Sequence, residues 1–275
     1  MLTDAHCHPA SLAGRFPGGA AAAEDERRRL GVACAASSAT LGEFEFHERL
    51  SLEAAAAGAP PVLPCFAVHP QMPLYGKSAD GEGLAVLETL AASGRLAAVG
   101  ETGFDLFGSA FRETERRQEL LFSAHLDAAL RLGLPIVLHV RRAMHKVFAR
   151  GAELKRCRAV VFHSWSGTAG EGEALLRRGI NAFFSFGTTV ALNHLGAMRC
   201  CALFPAETLL TETDAPYQPL RGRPFSRHAD LPRILETIAA LRREAGNDAS
   251  DAAELEAAVE LNFRSAFGLE AGTRV

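Results

Sequence analysis

The sequence lacks any run of eighteen apolar residues, the length that a helix needs to cross a membrane, so we predict no membrane contact. Its first residues contain no basic segment followed by an apolar stretch, which argues against a secretory signal. The six cysteines form no C-x-x-C pair and no disulfide framework, a pattern typical of proteins from a reducing compartment. We therefore expect a cytoplasmic protein, and no obligate protein partner is evident.

The chain also lacks an excess of positive charge, since its formal net charge is −3 at pH 7. This balance argues against broad, nonspecific binding of nucleic acid. A phosphate-bearing substrate would have to meet positive charge locally. Basic residues do cluster in two places, at Arg141–Arg142 and at Arg221, Arg223, Arg227 and His228. These side chains either bind a substrate or belong to a solvated surface.

What the sequence does have is a regular alternation of short apolar segments and longer helical patterns over 275 residues. Eight segments are predicted as strands: Leu2–His8, Val32–Ser37, Val62–Val68, Leu96–Glu101, Pro135–Val140, Ala159–Ser164, Asn181–Phe186 and Glu207–Thr213. Eight strand–helix units close a TIM barrel, and no linker divides the chain. The pattern predicts an α/β fold, a TIM-type (β/α)8 barrel forming a single domain over residues 1–275. Seven or nine strands are the alternative, and Gly14–Ala23 is predicted as a flexible loop.

Polar residues that often bind metals lie at the ends of five predicted strands. Asp4, His6 and His8 alternate along the first strand, so a period of two predicts all three on one face. The remaining residues of this type are Glu101, His139, His163 and Asp214. The carboxyl ends of barrel strands meet at one mouth, where active sites are built, so we expect these side chains to face one small volume.

This arrangement predicts a metal site whose ligands are His6, His8, Glu101, His139, His163 and Asp214. Singly, each residue has an ordinary alternative, because a strand-end histidine is often just hydrogen-bonded and a carboxylate can cap a helix. Together they would be costly to bury without a ligand. Imidazoles and carboxylates suit Zn or Mn, and Mg less naturally. Six ligands exceed the need of one catalytic zinc, so we expect two divalent ions with Glu101 between them.

Six segments together resemble the TatD family of metal-dependent hydrolases and deoxyribonucleases: Asp4–His8, Val68–Pro70, Gly100–Asp105, Leu138–Arg141, Phe162–Gly167 and Glu212–Tyr217. They follow the family's order and span nearly the whole chain. The resemblance implies a distorted TIM barrel of the amidohydrolase type. It also assigns the metal ligands: His6, His8 and Asp214 to one metal, His139 and His163 to the other, and Glu101 to both. Family members include enzymes that remove nucleotides from single-stranded or damaged DNA, which is the substrate that we expect.

Departures from the family pattern concern the substrate pocket. Arg142 stands where the family often has an acidic residue, and Trp165 replaces a more usual phenylalanine. The segment after Arg223 also differs from the family's usual run. The predicted metal ligands are all retained.

The predicted reaction is hydrolysis of a DNA phosphodiester, of the 3′–5′ exonuclease type, by a metal-activated water. Bound metal lowers the pKa of water from about 15.7 towards about 7. Asp214 would accept the proton of that water as general base, and Glu101 would bridge the metals. His69, after the third predicted strand, would bind phosphate or protonate the leaving group, with a structural role as the alternative.

Substrate contacts are predicted at Arg141 and Arg223, with Arg227 as a third candidate, because guanidinium groups bind phosphates as planar, fixed donors. Trp165 would either stack on an exposed base or pack at the rim of the barrel.

Two other functions are compatible with the same residues. An enzyme with this metal cage could instead cleave an amide, ester or lactone, because fold and cage serve many chemistries. A metal-binding scaffold without catalysis is disfavoured, since no ligand position is missing.

Overall fold

The computed structural model describes residues 1–72 and 77–269, in which eight parallel strands follow one another in a single sheet. The strands are β1 (Thr3–Cys7), β2 (Ala33–Ser38), β3 (Val62–Phe66), β4 (Ala98–Asp105), β5 (Ile136–Arg141), β6 (Val160–Phe162), β7 (Ala182–Phe186) and β8 (Leu209–Thr211). The sheet curls so that its last strand meets its first. Thr211 Oγ1 donates to Thr3 O at 2.9 Å, and Asp214 N donates to His6 O at 3.0 Å. The predicted eight-stranded α/β barrel is confirmed.

Helices cover the outside of the barrel between the strands. In the described residues they are α1 (Pro9–Ala13), α2 (Gly19–Leu30), α3 (Leu41–Ala56), α4 (Lys77–Ala92), α5 (Ser109–Glu113), α6 (Glu115–Leu132), α7 (Met144–Ala149), α8 (Gly151–Leu154), α9 (Ala169–Arg177), α10 (Leu195–Leu203), α11 (Leu231–Glu244) and α12 (Ala252–Phe267). None of these described helices combines the length and apolarity that crossing a bilayer requires.

The prediction of a loop over Gly14–Ala23 is wrong for the second half of that segment, because α2 begins at Gly19. Alanine is the strongest helix former, and the run of four alanines at 20–23 extends the helix towards its N-terminus. Ala23 also packs against β1 and β2 in a small buried cluster.

Two apolar layers hold the barrel together. Small side chains such as Ala5, Ala33 and Val137 fill its interior, where Phe263 and Phe267 of α12 pack against them. A larger cluster lies between the outer face of the strands and the helices. Because small residues line the interior, the strands can close tightly around it and project longer polar side chains at the mouth.

Two irregularities in strand pairing decide which side chains reach that mouth. On β1, Asp4 pairs with Cys34 and Cys7 pairs with Ala36, so β1 carries one extra residue between the two pairs. On β4, Val99 pairs with Ile136 and Thr102 with Leu138, which again leaves one extra residue on β4. An extra residue of this kind is a β-bulge, and it reverses the alternation of side chains beyond it.

Candidate active site

A cavity of about 1260 Å³ opens at the carboxyl ends of the strands. Residues at the ends of six strands line it: His8, His69, Glu101, His139, His163 and Asp214. His6 lies just behind this wall and is fully buried. The structure therefore brings all six predicted metal ligands, and His69, to one place.

Glu101 lies at the centre of the site. Its Oε2 is 3.2 Å from His6 Nε2 and 3.8 Å from His8 Nε2. Its Oε1 is 2.7 Å from His139 Nδ1 and 3.3 Å from His163 Nε2. Oε1 also lies 3.1 Å from His69 Nε2. The two carboxylate oxygens thus face different sets of histidines, an arrangement in which one carboxylate can serve two metal positions.

Asp214 completes the first of these two groups. Its Oδ1 lies 3.4 Å from His8 Nε2 and 3.6 Å from His6 Nε2. Gln218 Nε2 donates to the other oxygen, Oδ2, at 2.7 Å. Asp214 adopts a left-handed backbone conformation, with φ of 52°, which is uncommon outside glycine and occurs at functional sites.

Three of the four histidines that face Glu101 and Asp214 have a partner on their second ring nitrogen. Glu212 Oε1 is 3.1 Å from His163 Nδ1, and Asp105 Oδ2 is 3.2 Å from His139 Nε2. Ser37 Oγ lies 3.2 Å from His6 Nδ1. Partners of this kind hold a ligating imidazole in one tautomer and orientation.

Sequence reasoning assigned no role to these orienting residues. A signal for two of them was present. Asp105 lies four residues after Glu101, and Glu212 lies two residues before Asp214, so both carboxylates stand within the motif segments. Ser37 has no such signal, because it reaches His6 only through the pairing of β2 with β1.

His69 differs from the four histidines grouped around Glu101 and Asp214. Its Nδ1 accepts a hydrogen bond from Gln71 N at 3.2 Å, so a neutral ring carries its proton on Nε2. That Nε2 lies 3.1 Å from Glu101 Oε1. Burial lowers the pKa of His69 although Glu101 opposes the shift, which favours the neutral ring. His69 is therefore set up as a hydrogen-bond donor to the centre.

The loop that carries His69 is held from the opposite side by a second buried histidine. Val68 N donates to His125 Nε2 at 2.9 Å, and His125 Nδ1 donates to Leu121 O at 2.6 Å. His125 lies on α6, so this pair of bonds ties the end of β3 to that helix.

The electrostatics of the centre favour a bound cation. Burial raises the pKa of Glu101, but the surrounding histidines outweigh it and hold that pKa well below its usual range. Burial likewise opposes the charging of His163, while Glu212 and Glu101 raise its pKa to about 10. The carboxylates thus stabilise positive charge at this position. A divalent ion would supply that charge with the imidazoles neutral, so the donor set fits a metal.

Asp4 does not face this centre, contrary to the period-two prediction. Its carboxylate accepts from Thr213 N at 2.9 Å and from Thr213 Oγ1 at 2.6 Å, and it lies 3.0 Å from His228 Nδ1. Its side chain shares this side of β1 with Cys7. The bulge after Asp4 is the reason, and the residue instead fastens β1 to the segment that precedes Asp214.

Trp165 is 4% exposed, although it borders the cavity. Its ring packs edge-on against Phe162 at 5.4 Å and Phe184 at 4.7 Å between centroids. A ring covered in this way is not open to stack on a base. Of the two sequence interpretations, the structure supports the packed rim residue.

The predicted phosphate-binding arginines are separated in the structure. Arg141 lines the cavity, with its guanidinium 3.5 Å from Asp105 Oδ2. Arg223 is exposed in the loop after β8 and is not among the described residues that line the cavity. Arg227 pairs with Glu26 of α2 and lies over the ring of Phe16 at 5.3 Å. The structure therefore brings only Arg141 of these three to the candidate site.

Comparison with known proteins identifies relatives of similar sequence and fold. A curated "3′-5′ ssDNA/RNA exonuclease TatD" of Erwinia tasmaniensis is 35% identical over 212 residues, which cover 74% of this chain and 76% of that protein. The protein of the same description from Escherichia coli K12 is 36% identical over 210 residues, with the same coverage. The crystal structure of YjjV, a TatD homologue from Escherichia coli K12, superposes with a TM-score of 0.79 at 26% identity and covers 98% of each chain. The sequence profile described as "TatD related DNase" matches residues 3–268, and the chain belongs to this family of metal-dependent hydrolases.

Proposed function

We propose that the protein is a divalent-metal-dependent 3′–5′ exonuclease that hydrolyses phosphodiester bonds in single-stranded DNA or RNA, including damaged DNA. The observation that carries the proposal is the position of Glu101, whose two oxygens face two different sets of histidines. The substrate is supported by the curated relatives, which are named exonucleases of single-stranded DNA and RNA.

The proposed cofactor is a pair of divalent ions, Zn, Mn or Mg. Their ligands would be His6, His8 and Asp214 on one side and His139 and His163 on the other, with Glu101 shared. Such ions lower the pKa of water and neutralise charge that builds on phosphoryl oxygens.

Asp214 is proposed as the general base. Burial raises its pKa, but the hydrogen bond to His8 and the other nearby histidines lower it overall, so the carboxylate is ionised at neutral pH and can accept a proton. Gln218 donates to Oδ2 and thereby fixes the carboxylate plane. The oxygen Oδ1 remains directed at the centre, beside His6 and His8.

His69 and Arg141 are proposed to contact the substrate. A neutral His69 with its proton on Nε2 can donate to a phosphoryl oxygen or to the leaving oxygen. Arg141 lines the cavity beside Asp105, and its remaining N–H groups are available to a phosphate.

The decisive experiment combines metal analysis with cleavage of a 3′-labelled single-stranded oligonucleotide. We expect about two metal ions per chain and release of nucleotides from the 3′ end, both abolished by a chelator. Asp214→Asn should lower turnover by about 100-fold or more, the contribution typical of a general base. Asp25→Asn is the matched control, because Asp25 is an exposed carboxylate on α2 outside the cavity.

A metal-loaded protein that cleaves amides, esters or lactones but no phosphodiester would reject the proposed function in favour of the amidohydrolase-type alternative. A metal-loaded protein without turnover on either panel would favour the scaffold. The proposed location is the cytoplasm, supported by six cysteines that are all unpaired in the structure.

A further inference from the structure

One large aromatic side chain at the cavity mouth is exposed and has no role in the site described above. Phe107 follows β4 and is 48% exposed, although most phenylalanines of this chain are buried. It lines the cavity together with Arg141 and Arg142.

Two guanidinium groups lie on the ring of Phe107. The Cζ atoms of Arg141 and Arg142 are 4.3 Å and 4.6 Å from the ring centroid. These distances are well inside the range of about 6 Å for a cation–π contact. A guanidinium that lies over an aromatic face keeps its planar N–H donors free for carboxylate or phosphate.

The charges of the two arginines are not equally neutralised. Arg141 lies 3.5 Å from Asp105 Oδ2, whereas Arg142 makes no ion pair or hydrogen bond with any side chain that the structure describes. Arg142 also has a left-handed backbone, with φ of 54°, which is uncommon for a non-glycine residue. An unpaired cation held in a strained conformation at a cavity mouth is typical of a ligand contact.

This pair of arginines adjoins the candidate metal ligands. The same Asp105 oxygen that faces Arg141 also lies 3.2 Å from His139 Nε2. A chain whose scissile phosphate lies at the His139 side of the centre would therefore bring a neighbouring phosphate towards Arg142.

We propose that Arg142, together with Arg141 and held by Phe107, forms a subsite for the phosphate of the nucleotide next to the scissile bond. Arg142 is the phosphate contact and Phe107 is a positioning residue. The inference rests on the proposed function for the identity of its ligand, a single-stranded nucleic acid. It accounts for a cation at the cavity mouth that has no ion pair among the described residues.

The test measures binding, so that it does not depend on cleavage. The probe is a fluorescein-labelled single-stranded trinucleotide with nuclease-resistant phosphorothioate linkages, and its affinity for metal-loaded protein is measured by anisotropy at three salt concentrations. Arg142→Ala should weaken binding about tenfold, the equivalent of one charge-assisted hydrogen bond. The slope of log affinity against log salt should flatten by about 0.7, the value for one phosphate contact on a single strand. Phe107→Leu should weaken binding about threefold with Arg142 intact.

The chain contains a matched control. Arg178 lies over Phe148 at 4.5 Å in the same type of contact, and neither residue lines the cavity. Arg178→Ala should leave both affinity and salt slope unchanged. Hydrolysis of bis(p-nitrophenyl) phosphate, which has one phosphate, should fall much less in Arg142→Ala than binding of the trinucleotide does, and Arg178→Ala should leave this hydrolysis unchanged.

Three results would overturn the subsite: an unchanged salt slope in Arg142→Ala, an equal loss on bis(p-nitrophenyl) phosphate, or an effect of Phe107→Leu that disappears with an abasic trinucleotide. The last would mean that Phe107 stacks on a base instead. Binding that depends on Arg142 without any cleavage of single strands would support the subsite and reject the exonuclease. Cleavage of single strands that is unchanged by Arg142→Ala would support the exonuclease and reject the subsite.

Discussion

His125 should make the stability of the protein sensitive to mild acid. It is completely buried, and both ring nitrogens are used: Nε2 accepts from Val68 N, and Nδ1 donates to Leu121 O. A protonated ring would lose the first bond, because it has no acceptor nitrogen. Burial, only partly offset by the bond to Leu121, lowers the pKa of His125 from 6.5 to about 4.

The sign and size of the effect follow from these two values. Below pH 6.5 the unfolded chain binds a proton at His125 that the folded chain refuses, so this residue's contribution is complete above pH 6.5 and is lost as pH falls towards about 4. The full loss in the free energy of unfolding is about 3 kcal/mol. Near pH 5 this free energy should change by about 1 kcal/mol per pH unit. His47 adds to the same trend, because burial lowers its pKa to about 3.

The assay is urea unfolding with chelator present at intervals between pH 7 and pH 5. We expect His125→Gln to be less stable than wild type at pH 7 but to lose less stability as the pH falls, because its amide does not titrate. His145→Gln is the control, since His145 is exposed at the mouth and meets water in both states.

Parallel pH profiles for wild type and His125→Gln would refute the argument, because no proton would then be linked to folding at this residue. The substitution should also raise KM while leaving the metal content unchanged. The reason is that His125 holds Val68, which directly precedes the proposed substrate contact His69. A loss of metal in His125→Gln would show instead that the whole mouth depends on this bond.

Three further predictions follow from the strands and their neighbours. Glu212→Gln should weaken metal binding about tenfold or more, because it weakens the hydrogen-bond partner of His163 Nδ1. Titration calorimetry with Mn²⁺ or Zn²⁺ measures this affinity. An unchanged affinity would show that Glu212 has no part in orienting that ring. Gly103→Ala should destabilise the protein by about 3 kcal/mol or more in urea unfolding, because a Cβ there would lie 2.2 Å from a backbone oxygen of β5. Gly133→Ala has open space around it and should cost only about 1 kcal/mol, so equal losses would contradict the steric argument. Trp165→Phe should lower the melting temperature without changing affinity for a single-stranded oligonucleotide, and a selective loss of affinity would restore the stacking role.

The sequence by itself predicted eight strands, with seven or nine as the alternative, and it predicted which residues meet at their ends. Apolar segments of strand length, separated by helical patterns, leave few architectures other than a closed parallel barrel. That architecture sends every strand end to one mouth. His139 and His163 could therefore be placed beside Asp214, although they lie 75 and 51 positions before it in the chain.

Only the tertiary structure decided which side of a strand each residue occupies near a bulge. Counting by two predicted Asp4 beside His6, but one extra residue in β1 turns Asp4 away. An extra residue in β4 likewise brings Glu101 inwards. Strict alternation would place Glu101 on the side of Val99, in the outer apolar layer. A bulge depends on the pairing with a neighbouring strand, so the local sequence carries no period that reveals it.

The roles of the remaining polar and aromatic side chains were likewise set by packing between distant segments. Trp165 is covered by Phe184 and Phe204, and Arg227 is paired with Glu26 across 201 positions of the chain. The residue type indicated what each of these side chains could bind. Whether a substrate can reach it depends on which surfaces the folded barrel leaves open, and that is fixed by contacts between elements far apart in the sequence.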